Sequence, residues 1–493
     1  MRRNKFPAIL LPTLAFTILG FAVMGYHPGA EDDGVYLTAV KADIHPTLFP
    51  HDSDFFRVQL QATVFDGWMA HFVEATHIPV AWAELAWQFL SLFLILAACR
   101  SIAAQLFPEK RAQWAAVAMV SAMFTLPVAG TALYLVDQHL HPRAVATALI
   151  LIAVSRILAG KRWQALPLLI LSSVLHPIMG VLGISFCFFL TLATLEPAPV
   201  WLRWRTATNT LASVVPLGWI FDPPSPAWRQ ALSMRSYFFL SQWAWYELLG
   251  AFAPLVLFWL LWRFADKRGE TKLARLALAI LSFGIFQQIV ALVVLGVPAL
   301  VRLTPMQPMR FLHLIYVFLC LIGGAMMGRY LLKASVWRWA VFLLAANGGM
   351  FFAQRQLFAG TAHLEMPSSV TGNPWLQAFE WIRTNTPENA YFALDPNYMA
   401  APDEDYHSFR ALAERSMLSD AIKDTAVVTQ VPSLAPVWHE QQEAMTGWEH
   451  FQLADFERLK AQFGVDWVMV SYPPPNGLAC PWHNGALSVC KIP

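Results

Sequence analysis

The sequence predicts an α-helical polytopic membrane protein of about eleven spans, followed by a C-terminal α/β domain outside the cytoplasm. Three observations predict it. Hydrophobic residues make up 57% of the 493 residues, and charged residues only 13%, where a soluble globular chain carries about a quarter. Apolar runs near the ~20 residues that cross a bilayer recur as far as residue 357 and then stop. The same composition disfavours disorder, coiled coil and nucleic-acid binding. Five cysteines exclude a disulfide-rich scaffold.

The first span runs from Phe6 to about Tyr26, behind the basic residues Arg2, Arg3 and Lys5. Its apolar stretch is too long for a signal peptide and no small-residue cleavage site follows, so it reads as a retained anchor. Further spans fall at 82–104, 112–135 and 143–159. Segment 163–195 is broken by His176-Pro177 and reads as two short spans or a re-entrant pair. The remaining spans fall near 207–221, 243–262, 274–300, 309–330 and 337–357. With the N-terminus in the cytoplasm, the inner loops hold Arg100, Lys110 and Arg111; Lys161 and Arg162; and Arg203 and Arg205. The last two hold Arg263, Lys267, Arg268 and Lys272, then Arg329, Lys333 and Arg338. Every inner loop is basic, as the positive-inside rule requires, and the C-terminal portion then falls outside. These features predict a transmembrane module over 1–357 and an outer domain over 358–493.

Two regions stand outside the spans. The 27–81 loop is too long for a plain connection. It is acidic, and its 55–74 stretch is amphipathic and suited to an interface. The C-terminal portion reads as helix 374–384, strand 390–394, helix 407–416, helix 453–463 and strand Trp467–Ser471. Cys480 and Cys490 in its tail can pair in an oxidising compartment, whereas Cys99, Cys187 and Cys320 fall within the helices.

Chemistry concentrates in a few places. Glu31-Asp32-Asp33 follows the first span, and three adjacent carboxylates repel one another unless one is protonated or paired with a cation. A carboxylate at the mouth of a membrane cavity can serve as general base or hold a divalent metal; a solvated acidic cap is the bland alternative. Asp137, His139 and His141 share a short outer loop and suit Mn²⁺, Mg²⁺ or Zn²⁺ as part of a larger site, or simple loop solvation. His176 is an ionisable group in apolar sequence, or a neutral ring satisfying carbonyls freed by Pro177. Arg302 and Arg310 lie on the outer side against the positive-inside trend, and a guanidinium fork there suits phosphate; lipid headgroups would satisfy it too. Asp395, the Asp403-Glu404-Asp405 run, Arg410 and Arg415 read as surface and cap groups. No Gly-rich phosphate loop, nucleophile elbow or paired CxxC occurs.

In layout the chain resembles the GT-C membrane glycosyltransferases, which include protein O-mannosyltransferases and lipid A aminoarabinose transferases. Glu31-Asp32-Asp33 matches the acidic motif opening the first outer loop, and Asp137 the second acidic motif after span three. Trp381-Ile382-Arg383-Thr384-Asn385-Thr386-Pro387 is similar to the start of the outer domain in many bacterial members. The chain departs from the pattern in two places: it has no WWD-type signature and no assured second carboxylate beside Asp137. The resemblance implies transfer of a sugar from a polyprenyl-phosphate-linked donor to an acceptor hydroxyl on a glycan, lipid or protein, on the outer face of a bacterial inner (plasma) membrane. It implies Asp32 or Asp33, with Glu31, at the catalytic position. Asp137 and His139 would support the acceptor or a Mg²⁺ or Mn²⁺ ion held with His141, and His176, Arg302 and Arg310 would line the substrate site. Two other readings compete: a non-catalytic scaffold that keeps the fold, and a transporter or flippase of a lipid-linked substrate. Fold alone does not decide between them, and transporters commonly show matched broken helices, for which His176-Pro177 has no partner.

Overall fold

The computed structural model describes residues 7–195 and 223–493. Arg2, Arg3, Lys5, Arg203, Arg205 and the expected 207–221 span lie outside the described residues. Among those described, six helices are long and apolar enough to cross a membrane: Val80–Leu106, Pro177–Thr194, Trp245–Lys267, Thr271–Gly296, Pro308–Leu332 and Val336–Leu357. They make this a membrane-embedded protein by length and composition. Ile9–Met24 and Arg162–Leu175 are shorter apolar helices.

The expected break at His176 is present, with helices Ala165–Leu175 and Pro177–Thr194 on either side. The expected 112–135 segment is corrected in its helix, which covers only about half of it. That helix is Lys110–Ala122, and a small hairpin pairs Pro127–Val128 with Leu133–Tyr134. Pro127 has no N–H to extend a helix, and Gly130 takes φ +60° in the reversal, a conformation open to glycine.

The bundle packs around one apolar core. One close approach sets Lys110–Ala122 against Pro308–Leu332. A Cβ on Gly324 would stand 2.6 Å from the Ala115 carbonyl oxygen, and one on Gly328 2.7 Å from that of Arg111. Small residues four apart let backbones meet this closely where lipid gives no hydrophobic drive. At one end of the bundle Arg329 bridges Glu109 at 3.2 Å and Glu270 at 2.8 Å. Three of the basic turns therefore share that end.

At the other end the 27–81 segment folds into helices Asp33–Ile44, Asp54–Leu60 and Phe65–Thr76. The C-terminal portion builds a five-stranded sheet. Its order is Ser416–Met417, Tyr391–Ala393, Trp467–Ser471, Leu487–Lys491, Ala479–His483; the first three strands are parallel and the last two antiparallel. The two final strands went unread in the sequence; they carry Cys490 and Cys480, which form a disulfide. The expected 407–416 helix is only Phe409–Ala413, and the chain runs on into strand Ser416–Met417.

Arg410, Arg415, Glu404 and Asp405 are buried, which corrects their reading as surface groups. Arg410 Nε donates to Asp52 of the 27–81 segment at 2.5 Å, while both its terminal nitrogens donate to Asp424 at 2.9 Å. Lys41 donates to Glu414 at 2.6 Å and to the Ala411 carbonyl at 2.7 Å. Charges so placed are costly to strand alone, and here each joins the 27–81 segment to the C-terminal portion.

Candidate functional site

A cavity of about 270 Å³ opens where the bundle, the 27–81 helices and the C-terminal portion meet. Asp32, Tyr36, His141, His176, Arg310 and Lys423 supply its chemistry, beside Thr63, Tyr237, Gln307 and Gln430. Four of the residues singled out from sequence thus share one wall-to-wall space.

Helix geometry separates the two aspartates. They are consecutive at the start of helix Asp33–Ile44, and successive helical side chains diverge by about 100°. Asp33 turns inward, is only 2% exposed, and accepts the Gly29 N–H at 2.6 Å. Burial pushes its carboxyl above the usual range, against the opposing pull of His139 and the Gly29 amide. Asp32 keeps 42% of its side-chain surface and faces the cavity. Burial alone would raise it, but the Lys423 ammonium at 3.0 Å and His141 at 3.8 Å hold it well below the usual carboxylate range. It is therefore ionised at neutral pH. Glu31 precedes the helix at φ +53° and reaches the same ammonium at 2.5 Å.

The histidines arrive by one local device, used twice. In His141-Pro142 and His176-Pro177 the histidine is the N-cap and the proline sits in the first helical turn, where its missing N–H is no loss. His141 Nδ1 accepts the Arg143 N–H at 2.9 Å, and His176 Nδ1 accepts the Met179 N–H at 3.3 Å. His141 Nε2 then faces Asp32 at 3.8 Å, and His176 lines the same cavity. The two imidazoles are 5.8 Å apart, and Tyr36 meets His141 edge-on at 5.0 Å. Both helix N-termini, Pro142 and Pro177, consequently bring their positive dipole ends to the cavity.

Arg310 lies in the turn Pro308–Phe311 ahead of its helix. Its Nε donates to Gln307 at 2.5 Å, and the residue lines the cavity. Arg302 stands elsewhere, over the Trp228 ring at 5.6 Å. Asp137 and His139 are buried and do not line the cavity. Both Asp137 oxygens accept from Arg143 Nη2, at 2.5 and 2.7 Å. His141 uses one nitrogen as a cap. Among the described residues no group of three or more His, Cys, Asp or Glu side chains is disposed to hold a metal ion.

No family model and no curated protein matches the chain. The site's own chemistry is therefore what speaks to function. One ionised carboxylate faces a space ringed by a guanidinium, an ammonium, two imidazoles and two helix N-termini. Such a space attracts an anion, and phosphate fits helix N-termini and arginine together. Sequence reading missed Lys423, Tyr36, Gln307 and Tyr237. Lys423 lies 391 positions from Asp32, and no local pattern announces such a pairing.

Proposed function

We propose that the protein is a membrane glycosyltransferase of GT-C type that moves a sugar from a polyprenyl-phosphate-linked donor to an acceptor hydroxyl. In this reading the chain has about eleven spans, its N-terminus is cytoplasmic, and the cavity and residues 358–493 lie on the outer face of a bacterial inner membrane. The observation that carries the proposal is the single cavity that sets Asp32 beside Arg310, with the two capped helix N-termini.

Arg310 and the N-termini of the helices at Pro142 and Pro177 bind the donor phosphate. Asp32 takes the acceptor O–H as a hydrogen-bond donor. The acceptor oxygen attacks the anomeric carbon, a new C–O bond forms, and the bond from that carbon to the phosphate oxygen breaks. The electron pair leaves on the lipid phosphate, whose extra charge meets Arg310 and the helix ends. The proton passes from the acceptor to Asp32. A low-lying carboxylate suits this step because the hydroxyl becomes acidic only as its bond to an oxocarbenium-like carbon forms. Attack from the face opposite the phosphate inverts the anomeric centre.

The test is release of polyprenyl phosphate from a lipid-linked sugar in nanodiscs supplied with a mixed acceptor extract. Asp32→Asn is expected to lower turnover by roughly 10²–10⁴-fold while still binding polyprenyl phosphate. Turnover of Asp32→Asn equal to wild type, or wild type without any release, contradicts the proposal; the latter favours the scaffold or flippase.

A further inference from the structure

The acidic pair Glu31 and Asp32 has the composition of a divalent-cation site, yet its focus is already filled. Lys423 Nζ lies 2.5 Å from Glu31 Oε2 and 3.0 Å from Asp32 Oδ1, so it bridges the two carboxylates as a metal ion would. We infer that this ammonium is the resident cation of the site and that the acidic pair works with it in place of Mg²⁺ or Mn²⁺.

Three further observations support the inference. Lys423 is no roaming surface side chain: only 12% of it is exposed. Its own amide donates to Asp420 Oδ1 at 2.5 Å, and the Asp420 amide donates to Asp424 at 2.9 Å. Asp424 is in turn held by Arg410, which also holds Asp52. Secondly, Glu31 sits in the left-handed region at φ +53°, unusual for a side chain of its kind, and its amide donates to the Tyr406 carbonyl at 2.9 Å. The C-terminal portion thus fixes both the ammonium and the carboxylate that meets it. Thirdly, the other expected ligands are engaged: Asp137 gives both oxygens to Arg143, and His141 gives Nδ1 to its helix. Mg²⁺ demands oxygen ligands at about 2.0–2.1 Å in octahedral array, and the ammonium would have to leave before one could enter. The residues present do not fit a divalent ion.

A lysine at this place has chemical consequences. It neutralises one of two adjacent carboxylates and leaves Asp32 an open oxygen toward the acceptor, with His141 3.8 Å away. The consequence for turnover rests on the glycosyl-transfer reading; cation binding does not, so the two can fail separately.

The test is Mn²⁺ titration followed by electron paramagnetic resonance, on the full chain in nanodiscs of zwitterionic lipid. Wild type is expected to leave the free-ion signal unchanged. Lys423→Ala and the longer Lys423→Gln are each expected to take up an ion, binding at least roughly tenfold more tightly than wild type through the freed carboxylates. Adding Glu31→Gln to either is expected to abolish the uptake. Uptake by wild type that Glu31→Gln removes overturns the inference. So does absence of uptake in whichever Lys423 variant elutes as a folded monodisperse particle.

Discussion

Glu365 shows how much one carboxylate can organise at the residue scale. It accepts from His27 Nδ1 at 2.6 Å and from His407 Nε2 at 3.0 Å, and so ties the end of the first helix to the C-terminal portion. Burial alone would raise it, but His407 and the two hydrogen bonds hold it at about 2. Burial would lower His407, and Glu365 outweighs it, so that His407 titrates above its ordinary 6.5; burial moves His27 the other way. Because the folded carboxyl is depressed, its stabilisation is complete above about pH 4.5 and disappears as pH falls toward 2. The raised imidazole contributes fully below pH 6.5 and is lost as pH rises through its folded value. The thermal stability difference between wild type and Glu365→Gln is therefore expected to peak between about pH 4.5 and 6.5, at roughly 3–5 kcal/mol for one member of a buried pair. Differential scanning fluorimetry across pH reads it, and a pH-independent difference would refute the account. Asp32 and Asp33 teach a companion lesson: neighbours in sequence, they part because one helical step swings a side chain about 100°.

At the element scale, helix starts and close packing decide what reaches the cavity. The two His-Pro caps place an imidazole and a dipole end together; the break at His176-Pro177 was legible because proline is a local signal, whereas the capping role of each histidine was not read. Span boundaries were legible wherever apolar runs ended in charge or proline; the 112–135 run was overread as one helix because its second half, from 123 on, is apolar without being helical. The short Ser416–Met417 strand and the final hairpin were missed, since their pairing is set by distant neighbours and not by their own pattern. The glycine contact between Lys110–Ala122 and Pro308–Leu332 gives a prediction of its own. Gly328→Leu would drive a side chain into the Ala115 Cβ and Arg111 carbonyl, at a cost of roughly 1–3 kcal/mol. Gly323→Leu on the same helix, where a Cβ meets nothing within 4 Å, is expected to leave the melting temperature unchanged. Equal melting temperatures for the two variants would show that the close approach contributes nothing.

For the whole molecule, the site belongs to no single part of the chain. Asp32 and Tyr36 come from the segment after the first helix, His141 and His176 from helix caps, Arg310 from a turn, and Lys423 from the C-terminal portion. Of the residues singled out in the sequence, Asp32, His141, His176 and Arg310 line the cavity; they were noticed because charged or polar groups stand out against apolar surroundings. Asp33, Asp137, His139 and Arg302, singled out with them, do not line it. Sequence reading missed Lys423, whose carboxylate partners lie 391 and 392 positions away, and the link from Arg410 to Asp52, 358 positions away. The central claim is that this cavity receives a lipid-linked phosphate. The most direct measurement is binding of polyprenyl phosphate, against neutral polyprenol, to wild type and Arg310→Ala in nanodiscs. The account predicts that wild type prefers the phosphate and that Arg310→Ala loses about 1.5–3 kcal/mol of that preference, the worth of a charge-assisted hydrogen bond. Equal binding of phosphate and neutral polyprenol by wild type would contradict it.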